Sequence, residues 1–295
     1  MIKVNGWLNI DKPLGISSAK IVAKIKRILG KNNKVGHAGT LDPAASGVLP
    51  IAVGEATKLT NYMIDQHKIY SFVIQFGQAT DTGDTEGKVI ASSDVIPSEQ
   101  QCAKIVTEFI GNITQIPHKF SALKVNGKRA YDFARNGQDF ELAARNITIY
   151  DLKLLNFDAK KSQAEYICKC SKGTYIRSLA EDIAKSLQSL GFVVELRRLN
   201  VGAFNISQAI NAEIFEKNEA EAELLANILA VDLVLDDILG LEIDDIIAKK
   251  IRFGQMVNFA NISDQDLIYL THNGNLIAIG AIKSGYFDSM RVFNL

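Results

Sequence analysis

The run Gly36-His37-Ala38-Gly39-Thr40-Leu41-Asp42-Pro43-Ala44-Ala45-Ser46-Gly47-Val48-Leu49-Pro50 constrains this chain more than any other stretch. Glycine, proline and small polar residues favour turns and special backbone angles, so neither a helix nor a regular strand suits most of it. It predicts an ordered loop. Inside sits one carboxylate, Asp42, and the proline after it biases its backbone toward the extended region. A stiff loop presenting a single acid invites a catalytic reading, although an Asp-Pro pair taken alone is ordinary turn chemistry.

The 295 residues, 47% hydrophobic and 22% charged, describe a folded globular protein with room for one large unit and a small one. No apolar run approaches a membrane span and no secretion signal opens the chain, so a cytoplasmic location is expected. Cys102, Cys168 and Cys170 are expected to be free thiols, and no spacing of ligands suggests a metal. The formal net charge of zero conceals an uneven distribution. Residues 213–245 hold eleven acids against Lys217 alone, whereas residues 1–60 hold nine bases against three acids. A basic flank around the special loop is what a phosphate backbone seeks.

In chain order, a short strand from Gly6 precedes a helix capped at Ser17 or Ser18, with Lys20, Lys24, Lys26 and Arg27 on its polar face. A strand over 48–53 and a helix over 56–64 follow the loop. Alternation over 68–77 places Tyr70, Phe72, Ile74 and Phe76 on one face. Thr80 to Gly87 reads as an acidic loop without the ligand spacing of a calcium site. Ser98 caps a helix to about 110, and 121–129 reads as a hairpin with Asn126-Gly127 at its tip. Strands over 147–157 and 163–171, a helix from Gly173 to about Leu190, and a strand over 193–201 complete the body. Residues 207–230 read as helical and acidic, and 241–295 as short β runs. The expected class is α+β, with a mixed, mostly antiparallel sheet and flanking helices.

Taken together, several motifs resemble the TruB-type tRNA pseudouridine synthases. They are Leu8-Asn9-Ile10-Asp11-Lys12-Pro13-Leu14-Gly15, the Gly36 to Gly47 run, Gly54-Glu55-Ala56-Thr57-Lys58, Tyr70, Ser121-Ala122-Leu123-Lys124, Gly173-Thr174-Tyr175-Ile176-Arg177 and Leu196-Arg197-Arg198-Leu199. They run in the family's order over about 1–200. The resemblance implies a catalytic unit over 1–230 and a small PUA-like RNA-binding unit over 231–295. It also implies isomerisation of a T-loop uridine without a cofactor or metal. Asp42 matches the nucleophile, Arg177 its guanidinium partner and Tyr70 the active-site tyrosine. Tyr175 and Leu196 match the walls of the uracil pocket.

Because the target base lies inside a folded loop it must be extruded, and His37 matches the position that stacks into the vacated space. Lys12, Lys58, Lys124 and Arg197 are the expected phosphate contacts, which position RNA without reading sequence. The implied partner is the T-arm of tRNA, with no obligate protein partner and a monomer as the default. Ala44 and Ala45 depart from the family's usual choices, and the acidic 213–245 segment is expected to face away from RNA. Two other readings are a guide-RNA-dependent relative and a non-catalytic tRNA-binding or folding protein of the same fold.

Overall fold

Alternating apolar residues along several segments meet edge to edge in one large sheet, as seen in a computed structural model that describes residues 3–121, 123–125 and 127–295. The main elements of the body are β1 (Gly6–Lys12), α1 (Ser18–Ile28), β2 (Ser46–Val53), β3 (Lys68–Phe76), α2 (Glu99–Phe109), β4 (Arg145–Asp158), β5 (Gln163–Cys170), α3 (Ile176–Ser186) and β6 (Gly191–Val201). Their order in the sheet is β1-β2-β6-β3-β5-β4, extended by short strands at either edge. Only β6 against β2, and β1 against the short strand Ile210–Asn211, run parallel. The sheet is therefore mixed and mostly antiparallel.

Local signals explain most of the element ends. Ser17 caps α1 by accepting from Lys20 N, and Ser98 forms a reciprocal capping box with Gln101 at α2. Phe72, Ile74 and Phe76 on β3 are buried under α2 and α3, with Tyr70 half-buried at the end of the same face. On the other side of the sheet, Trp7 is fully buried and its indole N–H donates to Val231 O at 2.9 Å.

The last part of the chain forms a second sheet from β7 (Leu239–Glu242), β8 (Gln265–His272), β9 (Asn275–Lys283) and β10 (Tyr286–Val292), with α4 (Asp245–Arg252) packed on it. Its tail reaches back to the body: Phe293 is fully buried beside Trp7 and Leu59, and Asn294 N donates to Glu55 Oε2.

Four local readings are corrected. Residues 207–230 are not one helix but two single 3-10 turns and a short helix, Ala220–Ala226. The side chains of Asn205 and Asn211 each accept a local backbone N–H and so close turns that compete with helix. The tail contains α4, whose Ile247, Ala248 and Ile251 share a face behind the Asp244 cap. The helix expected from Gly173 starts at Ile176, because Tyr175 is extended. The segment read as a helix over 56–64 begins as a 3-10 turn, Gly54–Leu59.

Candidate active site

The Asp42 loop joins two antiparallel strands, Val35–His37 and β2, so both its ends are fixed by the ladder. Between them the loop is pinned from outside. Gly15 N donates to Pro43 O at 2.9 Å, while the buried Ser18 hydroxyl donates to Leu41 O and accepts from Leu41 N, both at 2.9 Å. Ala45 N closes a turn onto Asp42 O at 3.0 Å. From beneath, the buried Arg198 donates to the carbonyls of Gly39, Thr40 and Val48. Gly47 is required where β2 passes β6, since a Cβ there would lie 2.1 Å from Arg198 O, and its φ is +106°.

Asp42 thus projects from a loop with little freedom. Its Oδ2 lies 2.8 Å from Arg177 Nη2, and 43% of its side chain remains exposed. Arg177 stands on the first turn of α3 and is itself buried. Its guanidinium also donates to Thr82 O and Phe120 O, each at 2.8 Å, and its Nη1 lies 3.2 Å from Asp84 Oδ2. Three loops therefore converge on one cation. Asp84 is the acid the sequence did not single out. It lies in the Thr80–Gly87 loop, where Thr82 Oγ1 and Glu86 N donate to its other oxygen.

Of the other expected side chains, Leu196 lines the cleft with this pair. Asp42, Arg177 and Leu196 line a narrow cleft with Asp84 and Val193, whose enclosed space of about 10 Å³ is room for about one water. Tyr70 lies in register with Arg198, and burial raises its phenol above the ordinary range while Arg198 opposes that rise. Tyr175 is held through its backbone, N donating to Gln115 Oε1 at 2.8 Å and O accepting from Gln115 Nε2 at 3.2 Å, and burial raises its phenol too. His37 sits at the loop's start with Nδ1 buried and without a hydrogen-bond partner among the described residues. Burial, then Arg198 and Arg129, hold its imidazole below the usual value.

Two of the basic residues expected at phosphates are engaged within the protein. Lys12 is fully buried, its ammonium donating to Pro13 O and Ile16 O at 2.8 Å, and burial pulls its pKa down to about 8. It closes the turn after β1 and has no surface to offer RNA. The Lys58 ammonium is engaged by Glu55 at 2.6 Å and Val292 O at 2.8 Å, over the Phe293 ring, so it ties the body to the tail. Arg197 remains partly exposed but binds Asp11 at 2.7 Å and Ser46 Oγ at 3.1 Å. Lys124 stands on a two-residue strand paired with Lys128–Arg129, and its side chain, like Ala122 and Asn126, lies outside the described residues. The acidic segment packs on α1, where Glu216 pairs with Lys24 at 2.7 Å. Part of the basic flank is therefore neutralised within the protein.

The family described as "TruB family pseudouridylate synthase (N terminal domain)" matches residues 26–176. A protein of Rickettsia akari (strain Hartford) named tRNA pseudouridine synthase B is 54% identical over 99% of both chains. One of the same name from Rickettsia bellii (strain OSU 85-389) is 53% identical over 98% of both. Among solved structures, a chain of a Cbf5-Nop10-Gar1 complex superposes with a TM-score of 0.74 at 25% identity, covering 98% of this chain and 85% of that one.

Proposed function

This chain belongs to the TruB family of pseudouridylate synthases, enzymes that convert uridine to pseudouridine, and from that premise we propose how its residues act on tRNA. The substrate is the T-loop uridine at position 55. Asp42 is the nucleophile: it bonds covalently to the extruded nucleotide, dividing a difficult exchange into easier steps. The net reaction breaks the bond from ribose to the ring nitrogen and makes one from ribose to a ring carbon. That carbon loses its proton and the freed nitrogen gains one, so no oxidant or cofactor enters the balance.

The observation that carries this reading is the ion pair of Asp42 with Arg177 at 2.8 Å beside an open cleft. A guanidinium fixed by four partners stabilises the carboxylate as bound RNA strips water from the site. Tyr70 stacks on the base and, once its hydroxyl has lost its proton to solvent, receives the ring-carbon proton as a phenolate; Tyr175 and Leu196 wall the pocket, and His37 enters the gap left in the loop. A neutral imidazole suits that stacking role. Lys124 and Arg197 contact phosphates. Residues 1–230 form the catalytic unit and 231–295 a PUA-like unit that steadies the RNA. The protein acts as a cytoplasmic monomer on the T-arm, without guide RNA or an obligate partner.

The test is incubation with an unmodified tRNA transcript, mapping of the altered nucleotide, and repetition with Asp42→Asn. Modification at the T-loop uridine by the wild type alone supports the reading. Product from Asp42→Asn, or modification elsewhere, overturns it. A non-catalytic binder would give no product with either protein, and light scattering of the eluting protein tests the monomer.

A further inference from the structure

Arg198 is a buried cation whose side chain meets no carboxylate among the described residues. It is 1% exposed, yet its guanidinium contacts are carbonyl oxygens: Val48 O at 2.8 Å from Nε, Thr40 O at 3.3 Å from Nη1 and Gly39 O at 3.0 Å from Nη2. Burying a charge without a counter-ion is costly even when backbone dipoles solvate it. An apolar side chain in the same strand would carry no such cost, so the guanidinium calls for an explanation beyond packing.

Its position supplies one. β6 lies between β2 and β3, and Arg198 is in register with Gly47 on one side and Tyr70 on the other. Neighbours in register point to the same face of a sheet. Tyr70 and Arg198 therefore lie side by side on one face of the sheet. The planar fork that fixes the loop of the nucleophile therefore also lies beside the tyrosine. A guanidinium has five N–H donors in a rigid arrangement, enough for three carbonyls and one hydroxyl; an ammonium has three and no fixed plane.

We propose that Arg198 is a positioning residue of the isomerisation, setting the Asp42 loop and the Tyr70 hydroxyl at a fixed mutual distance through one guanidinium. This rests on the assignment of Asp42 and Tyr70 to the reaction given above. Arg198 touches no substrate; it acts through the two groups it holds. The charge adds a second effect, because Tyr70 can take the ring-carbon proton only as a phenolate, and a cation already in place stabilises that ionised form. Burial, Cys170 and Asp42 oppose ionisation of this phenol, and Arg198 favours it.

Arg198→Lys and Arg198→Met, measured under single turnover with saturating tRNA transcript, give the first arm. The expected result is a rate lowered on the order of 100-fold in Arg198→Met and partly recovered in Arg198→Lys, with tRNA dissociation constants within about twofold of wild type. A wild-type rate per folded molecule in Arg198→Met overturns the proposal, whatever its melting temperature. The second arm uses Tyr70→Phe, which removes one hydroxyl and leaves the packing. The buried Arg198 Nε–H gives a protected side-chain resonance; it shifts in Tyr70→Phe if the two groups touch, and an unmoved resonance overturns the coupling. Asp42→Asn separates the two levels. Full activity in Asp42→Asn removes the underlying assignment, whereas an inactive Asp42→Asn beside a fully active Arg198→Met removes only this inference.

Discussion

Asp42 and Asp84 reach the same guanidinium from different loops and differ in almost everything else. Asp42 keeps 43% of its side chain exposed, on the cleft, while Asp84 keeps 7%. Asp84 fills its second oxygen with Thr82 Oγ1 at 2.6 Å and Glu86 N at 3.0 Å, so its bonds lie within its own loop apart from the one to Arg177. Asp42 is held through its backbone, and its carboxylate is left facing the cleft. A scaffolding acid completes its hydrogen bonds; a reacting acid is placed by its neighbours and left with an open side.

Substitutions can break this comparison. Asp42→Asn should lower product formation by on the order of 10³-fold or more while tRNA binding persists, as filter binding would report. Arg177→Met strands both acids, one of them buried, and should cost about 3–5 kcal/mol of stability by urea unfolding as well as activity. Asp84→Asn should cost about 1–3 kcal/mol and slow single-turnover catalysis by about 10- to 100-fold, through a displaced Arg177. If Asp84→Asn were as inactive as Asp42→Asn at unchanged stability, the division of labour would fail.

The smallest effect concerns pH. His37 has its pKa lowered in the folded protein, first by burial and then by Arg198 and Arg129. Folding favours its neutral ring, so the unfolded chain takes up the proton first as pH falls through the ordinary value of 6.5. Stability from this group is complete above that value and declines below it. The melting temperature of His37→Gln should therefore fall less than that of the wild type between about pH 7.5 and 5.5.

Much of this was legible in the sequence because the glycines and prolines around Asp42 leave few conformations open. The alternation of β3 likewise placed Tyr70 on the face of Phe72. Asp84 was not legible: an acid among Asp81, Thr82, Gly83, Thr85 and Glu86 looks like any solvated turn, and only folding shows which one points inward. Arg198 was hidden by its neighbour. Adjacent strand residues face opposite ways, so Leu196 and Arg198 share one face and Arg197 the other, but no local pattern says which face is buried. Lys12 misled for a similar reason, since a lysine after an aspartate at a turn looks exposed until its ammonium is found between two carbonyls.

The ion pair at the centre of the cleft joins residues 135 positions apart in the chain. Contacts so distant form late, after the entropy of closing a long segment has been overcome, and here closure requires β6 to enter between β2 and β3. A nascent or refolding chain with intact early strands and α1 therefore remains inert. The return of activity after dilution from denaturant should follow this insertion and lag behind recovery of helical signal, making enzymatic turnover a reporter on the slowest step of assembly.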